Sequence, residues 1–262
     1  ILFYFILVLV FGWKLCLNIL RDQGKMDHQG EVLTSLGEVN ILKCEPCGFV
    51  HVNPLPRQKE TESFYRGRFY EKVRPDYIKQ YEEDQDWWGL HYVERLEVLE
   101  KLLGEQASKV VVDIGCGPGF FVKKAQDLGW QAVGVEPSQT ACDYARYKLG
   151  LKTVIHDFVD IVNYHCVPRA EAIHMDEVLE HSTNPLDLLR VCYELLYPGG
   201  VLCVVVPNDY NDLQLSLTLS GKTEWWISPR EHLNYFDFAS LGNLLAKVGF
   251  ERVQEIEDPE IA

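Results

Sequence analysis

Val111–Gly119 reads VVDIGCGPG. The surrounding KVVVDIG, Lys109–Gly115, is a continuous apolar run of the kind that forms a strand buried on both faces. Gly115, Gly117 and Gly119 then follow at every second residue. Glycine lets the backbone turn sharply and lets a ligand approach without a side chain in the way. A helix beginning near Gly119 would present its unpaired N–H groups there. The stretch therefore reads as a strand running into a nucleotide-holding turn.

The acid and the glycine spacing narrow the ligand. The dinucleotide fingerprint is Gly-x-Gly-x-x-Gly, and its third glycine would here fall on Phe120. The spacing is instead Gly-x-Gly-x-Gly, preceded by Asp113. An acid at that mouth suits an ammonium or a sulfonium and suits a pyrophosphate badly. Glu136 closes the next strand, QAVGVE, at the position where a carboxylate accepts from both ribose hydroxyls. An unphosphorylated adenosine with a cationic amino-acid tail meets all three conditions, which is the chemistry of S-adenosylmethionine. A nucleotide-sugar or NAD-dependent enzyme is the alternative that the Phe120 spacing argues against.

Outward from this stretch, strands and helices alternate. FFVKKAQDLG reads as a helix, QAVGVEP as a strand, and SQTACDYARYKLG as a helix with Ser138 as N-cap. KTVIHDF and the start of AEAIHMDEVLEH read as strands. NPLDLLRVCYELLYPGG reads as one helix, with Pro185 near its start and Gly199 past its end. VLCVVVPND is another buried strand, 210–235 reads as irregular, DFASLGNLLAKVG as a helix and FERVQEIED as a sixth strand. The implied fold class is α/β, a mainly parallel doubly wound sheet. On the N-terminal side, apolar Trp87, Leu90, Val93, Leu96, Leu99 and Leu103 recur at threes and fours, a helix that Gly104 stops. No internal repeat and no low-complexity tract interrupts the chain.

VVDIGCGPG, VGVEPS, HMDEVLEH and LYPGGVLCVVVPND, in that order and spacing, resemble the successive motifs of Rossmann-like S-adenosylmethionine-dependent methyltransferases. The group resembled includes ubiquinone-biosynthesis-type and other small-molecule enzymes, and the match runs from about 85 to 257. CEPCGFVHVNPLP, the DQDWW helix and PREHLNYFDFASLGNLLAKVGF are similar to a bacterial subset with a Cys-containing N-terminal segment. The resemblance implies that Asp113 and the backbone of Gly115, Cys116, Gly117 and Gly119, with Phe120, hold the methionine part of the cofactor. It implies that Glu136 and Pro137 hold the ribose, and that Asp157 and Phe158 flank the adenine. Asp176 and Glu177 through His181 would face the methyl-transfer cleft. Acceptor oxygen chemistry needs a base, and His181 or His232 would serve; both residues also fit capping or structural roles. Trp225 and Trp226 read either as a lid over an apolar acceptor or as a packed loop. The activity implied is methyl transfer to a small molecule, with oxygen as acceptor; a non-catalytic module of the same fold is the alternative. The family's sheet ends in a seventh, antiparallel strand, and this chain stops soon after its sixth, so that edge is left open.

Four segments follow. Residues 105–262 form the cofactor-binding domain, and 61–104, rich in aromatics and charges, its helical cover. Residues 26–60 form a small loop-rich segment around Cys44 and Cys47. That pair has zinc-knuckle spacing and His51 is close. A structural zinc needs four ligands, and no second Cys pair lies upstream, so the pair reads as a half-lost ribbon or as needing residues such as His28. Residues 1–25 open with thirteen uncharged residues, short of the about 20 that span a membrane. They read as an anchor that Lys14, Arg21 and Lys25 would orient with the main domain in the cytoplasm, or as sequence upstream of Met26.

Bulk composition fits this reading. The apolar fraction of 47% and charged fraction of 24% are those of a globular protein. A net charge of −14 gives no counterion-release attraction for nucleic acid. The eight cysteines sit mostly singly in apolar or helical contexts, which points to thiols in a cytoplasmic protein rather than a disulfide framework.

Overall fold

The computed structural model describes residues 4–11, 27–104, 108–160 and 164–257. The main sheet is centred on β5 (Val110–Ile114), with β6 (Gln131–Glu136) and β7 (Val154–His156) to one side and β8 (Ala170–Asp176) and β9 (Leu196–Pro207) to the other. These five strands run parallel. Beyond β9 come β1 (Tyr4–Phe11) and β11 (Phe250–Glu257), giving the order β11–β1–β9–β8–β5–β6–β7. Strand β1 is antiparallel to both neighbours, so β11 runs with the parallel set.

That strand bears on two features of the sequence. The apolar N-terminal run, read as an anchor or as upstream sequence, is in part a strand paired between β9 and β11. The sheet does contain an antiparallel strand, β1, but it lies inside the sheet, and β11 forms the edge on that side. The rest of that segment, residues 1–3 and 12–25, lies outside the described residues. Among the described residues, no helix is long and apolar enough to cross a membrane.

Strand residues alternate between two cores, as a pleated sheet covered on both faces requires. Val111, Ala172, Val201 and Val205 pack toward α3 (Gln85–Leu103), α4 (Phe120–Asp127) and α5 (Gln139–Tyr147). Val112, Ile173, Met175, Leu202 and Val204 pack toward α6 (Pro185–Leu195) and α8 (Phe238–Val248). Ile173 and Leu202 have no exposed surface, and burial of such a side chain stabilises by about 1.5–3 kcal/mol. Ser138 caps α5 as expected, its side chain accepting from Ala141 N. Helix α6 ends earlier than its sequence pattern suggests: Leu196 is already extended and begins β9. Pro198 disfavours helical backbone at the residue before it, which pulls the exit forward. The stretch 210–235 is not wholly irregular either, since it contains α7 (Asp212–Leu219), capped by the Asn211 side chain on Gln214 N.

The Cys-x-x-Cys segment is a sheet rather than a set of loops. β2 (Gly30–Leu36), β3 (Val39–Cys44) and β4 (Phe49–Asn53) form an antiparallel meander, completed by β10 (Asn234–Tyr235) from far along the chain. Between this sheet and β5 run α1 (Gln58–Gly67), a π-helical turn (Phe69–Val73), α2 (Tyr77–Glu83) and α3. The buried face of α3 is carried by Tyr92, Arg95, Leu96 and Leu99, whereas Leu90, expected inside, is 72% exposed. None of the seven described cysteines is in a disulfide.

Candidate active site

β6 and β8 flank β5 on opposite sides, so the connections after β5 and β8 diverge and leave a crevice at the carboxyl ends of the strands. A cavity of about 380 Å³ fills that crevice. All of the cofactor candidates named from sequence line it except Gly119, which caps α4 between the lining residues Pro118 and Phe120. Asp113 and Gly115 come from the end of β5, Glu136 from β6, Asp157 and Phe158 from the end of β7, and Asp176 and Glu177 from β8. His181 and His232 line its other end.

The glycine loop uses its own N–H groups within the fold, apart from those of the helix that follows it. Gly115 N and Cys116 N both donate to Val135 O, Gly119 N donates to Cys116 O, and Gly117 N donates to Glu136 Oε2 at 3.0 Å. These donors are spent inside the fold. What the glycines supply is left-handed backbone and room. Gly115 has φ +73°, and a Cβ there would lie 2.4 Å from Val178 Cγ2. Gly119 has φ +89°, caps α4, and a Cβ there would lie 2.6 Å from Leu151 Cδ1.

Glu136 is 5% exposed and accepts from two backbone N–H groups, Gly117 and Ser138, the latter at 2.8 Å. Burial nevertheless lifts its carboxyl to about 7, the two backbone bonds opposing. Each oxygen retains a lone pair for a further donor. Asp157 is held by its own neighbour Phe158 N and by Arg66 from α1 at 2.9 Å.

Asp113 belongs to a buried chain that sequence reading missed. Its Oδ1 bonds His174 Nδ1 at 2.7 Å, His174 Nε2 lies 3.4 Å from Arg95 Nη1, and Arg95 reaches Asp176 Oδ2 at 2.5 Å. Burial keeps His174 neutral, down to about 3, with Arg95 adding to the shift. Burial and the Asp176 charge push the Asp113 carboxyl up, against Arg95. The signals were there: His174 interrupts an apolar strand, and Arg95 sits one turn from Leu99 on the buried face of α3. Arg95 does not line the cavity, so the lining carries carboxylates from Asp113, Glu136, Asp157, Asp176, Glu177 and Glu231 against one arginine, Arg74, itself paired to Glu231. Glu177 sits at φ +54°, a conformation rare for a non-glycine residue and associated with functional sites.

The far end of the cavity is aromatic and histidine-lined. Tyr65, Phe69, Tyr70 and Tyr77 form its wall from α1, the π-helical turn and α2. Tyr77 Oη and Tyr81 Oη are bonded at 3.2 Å, and Tyr81 stacks on Trp88 at 4.6 Å. Trp225 and Trp226 do not line the cavity; Trp226 is packed at 2% exposure and Trp225 is at the surface. His181 Nδ1 donates to Glu231 O at 2.6 Å, which leaves Nε2 with its lone pair. Its ring lies 5.1 Å from His232 and 5.5 Å from Tyr65. Burial lowers both histidines, His232 to about 3 with the neighbouring His181 contributing. Glu180 is 1% exposed, and burial, with Glu177 beside it, raises its carboxyl well above the ordinary range. Glu180, His181 and His232 bring one donor atom each within 4.8 Å of one another. Asn234 holds this turn in place, its Nδ2 donating to the carbonyls of Leu179, Glu180 and Ser182.

The metal candidates Cys44 and Cys47 lie elsewhere, at the β3–β4 turn, and there the structure gathers His28 and His51 around them.

A Rossmann-like parallel sheet thus carries an acidic cleft at its switch point, lined by one arginine among the described residues. The family profile for a methyltransferase domain matches residues 90–255. A ubiquinone biosynthesis O-methyltransferase of Actinobacillus pleuropneumoniae is 28% identical over 170 residues, covering 56% of this chain and 71% of that relative. The one from Vibrio parahaemolyticus is 30% identical over 145 residues, covering 50% and 61%. An S-adenosylmethionine-dependent methyltransferase structure from Archaeoglobus fulgidus shares the fold at TM-score 0.52 and 19% identity, over 67% of this chain and 75% of that one. Magnesium protoporphyrin IX methyltransferase from Synechocystis shares it at TM-score 0.52 and 12% identity, over 77% and 99%. The chain belongs to the methyltransferase-domain family and is a methyltransferase. The NAD and nucleotide-sugar alternative falls with that match.

Proposed function

We propose that the protein methylates a hydroxyl oxygen on a small aromatic acceptor. The observation that carries this reading is His181: its tautomer is fixed by the bond to Glu231 O, its Nε2 keeps a lone pair 3.8 Å from Glu180 Oε1, and the residue lines a cavity walled by aromatic rings. A positioned base is what a hydroxyl acceptor needs and an already nucleophilic amine does not. The names of the relatives, O-methyltransferases of ubiquinone biosynthesis, support the oxygen acceptor.

S-adenosylmethionine, when bound, supplies a methyl group on a sulfonium already activated for displacement. The residues that would hold it fit its charge, since the lining is rich in carboxylates at the end where an ammonium and a sulfonium would lie. Asp113 and Asp176 would take the amino-acid end, Glu136 and Pro137 the ribose, and Asp157 and Phe158 the adenine. Gly115, Cys116, Gly117, Gly119 and Phe120 would shape the floor, with Glu177 at the border of the two halves. Tyr65, Phe69 and Tyr77 stack against the acceptor ring and exclude water. His181 Nε2 takes the acceptor's proton, while its Nδ1–H stays on Glu231 O and steadies the imidazolium. His232 orients the acceptor; its strongly lowered basicity makes it the poorer proton acceptor of the two.

The test is turnover with a panel of small phenols and aromatic amines, reading which atom is methylated. His181→Gln should cut kcat by about 10²-fold, the low end for loss of a general base, with S-adenosylhomocysteine affinity unchanged. Methylation of amines alone, or an unaltered kcat in His181→Gln, would overturn the reading.

A further inference from the structure

We propose that His28, Cys44, Cys47 and His51 hold one structural zinc ion. The four residues come from three places: the lead-in to β2, the turn between β3 and β4, and the middle of β4. Pairing of β2 with β3 brings Gly30 opposite Cys44, and Glu45 N donates to Gln29 O, which carries His28 over the turn. Gly48, at φ +82°, closes the turn with its N–H on Cys44 O, and the two sulfurs lie within 4.8 Å of each other and of the two histidine nitrogens.

All four donor atoms lie within 4.8 Å of one another, and the three distances from His28 Nδ1 match the edges of a tetrahedron. With metal–nitrogen bonds of about 2.0 Å and metal–sulfur bonds of about 2.3 Å, the edges are about 3.3 Å for N–N and about 3.5 Å for N–S. His28 Nδ1 lies 3.1 Å from His51 Nε2, 3.7 Å from Cys44 Sγ and 3.4 Å from Cys47 Sγ. A single ring nitrogen has one proton or one lone pair and cannot satisfy three such neighbours by hydrogen bonding. A cation at the centre satisfies all four at once.

The surroundings fit a closed, structural site. Cys44 is 2% exposed and His51 1%. His51 Nδ1 donates to Val52 O at 2.8 Å, which fixes the tautomer and aims the Nε2 lone pair at the cluster. Lys247 Nζ donates to Cys47 O, tying the turn to α8. Two sulfurs and two imidazoles in tetrahedral array select zinc over oxygen-seeking cations. Four protein ligands leave no open position, so the ion holds the fold and takes no part in chemistry.

Its location gives it a second consequence, which rests on the proposed function. His51 stands opposite Asn234 across the β4–β10 pair, and Asn234 clamps the turn that carries His181. Loss of the ion should loosen the acceptor end of the cavity and spare the cofactor end.

The experiment is metal analysis of the full chain purified without chelator, as wild type, Cys44→Ser/Cys47→Ser and Cys166→Ser. Close to one zinc per chain is expected in wild type and Cys166→Ser, and about a tenth of that or less in the double variant. Should the double variant fail to fold, cobalt exchange into wild type decides: a tetrahedral thiolate–cobalt spectrum at one equivalent is expected. Thiol modification of wild type should release the ion. Folded wild type with zinc below about 0.1 per chain after loading and gel filtration, or with a different metal at one equivalent, overturns the proposal. Binding of S-adenosylhomocysteine is measured on the same samples, so a failed zinc site and a failed methyltransferase site are read separately.

Discussion

Replacing Gly115 by alanine tests the loop at its tightest point. At φ +73° an L residue pays about 1–2 kcal/mol of backbone strain. The new Cβ would also stand 2.4 Å from Val178 Cγ2, inside van der Waals contact. Overpacking of this kind costs about 1–3 kcal/mol more. The sum is about 2–5 kcal/mol of stability. Val178→Ala removes the obstructing methyls and leaves the backbone strain. The four proteins of the cycle, compared by urea unfolding, should therefore show a favourable coupling of about 1–3 kcal/mol. Val178 adjoins Glu177 and both line the cavity, so Gly115→Ala should also weaken S-adenosylhomocysteine by about tenfold or more, with partial recovery in the double variant. Additive effects, or a Gly115→Ala protein within about 0.5 kcal/mol of wild type, would refute the argument from close approach.

Three further perturbations follow from the same geometry. Glu136, lifted from 4.5 to about 7 by burial, keeps in the folded state a proton that the unfolded chain gives up. Its contribution to stability is therefore full below the unfolded value and is lost as the pH rises to about 7; ribose hydroxyls need the ionised form, so cofactor affinity should instead weaken about tenfold per unit below that pH. Calorimetry in buffers of different ionisation enthalpy should show proton release on binding, and an affinity flat from about pH 5.5 to 8 would contradict it. Arg95→Met strands Asp176 beside the buried Asp113–His174 pair and should cost about 3–5 kcal/mol in urea unfolding, the scale of breaking a buried ion pair; a loss below about 1 kcal/mol would argue against that chain. Deleting residues 1–11 removes the strand between β9 and β11 and should lower Tm sharply or abolish cooperative unfolding, whereas an unchanged Tm would contradict its place in the sheet.

What could be read from sequence was what is local. β5 is a largely apolar run and β6, β8 and β9 are mainly apolar segments between helix patterns, and the acids at the ends of β5, β6 and β8 fall in one cleft because parallel strands present their carboxyl ends together. Ser138 and Gly104 mark helix ends by chemistry that needs no tertiary partner. What escaped depends on distant pairing. Nothing in YFILVLVF says that it inserts between strands nearly 200 residues and more further along, since an apolar octet suits a strand as well as part of a membrane segment. His28 reaches Cys44 only because β2 folds back on β3, and β10 joins β4 across the length of the chain. The glycine spacing marks the turn, but not its hydrogen bonds: whether an N–H faces a ligand or the neighbouring strand is decided by the turn's exact path. Arg95 hid in a helix whose apolar spacing pointed to a face rotated from the true one.

The central claim is an S-adenosylmethionine site built on Asp113 and Glu136. Calorimetric titration of the full chain with S-adenosylhomocysteine, in wild type and in Glu136→Ala, tests it most directly. The account predicts one site, with affinity in wild type that falls by about tenfold or more in a variant that remains folded. A folded wild type that takes up no S-adenosylhomocysteine, or a Glu136→Ala protein that binds as tightly as wild type, would contradict it.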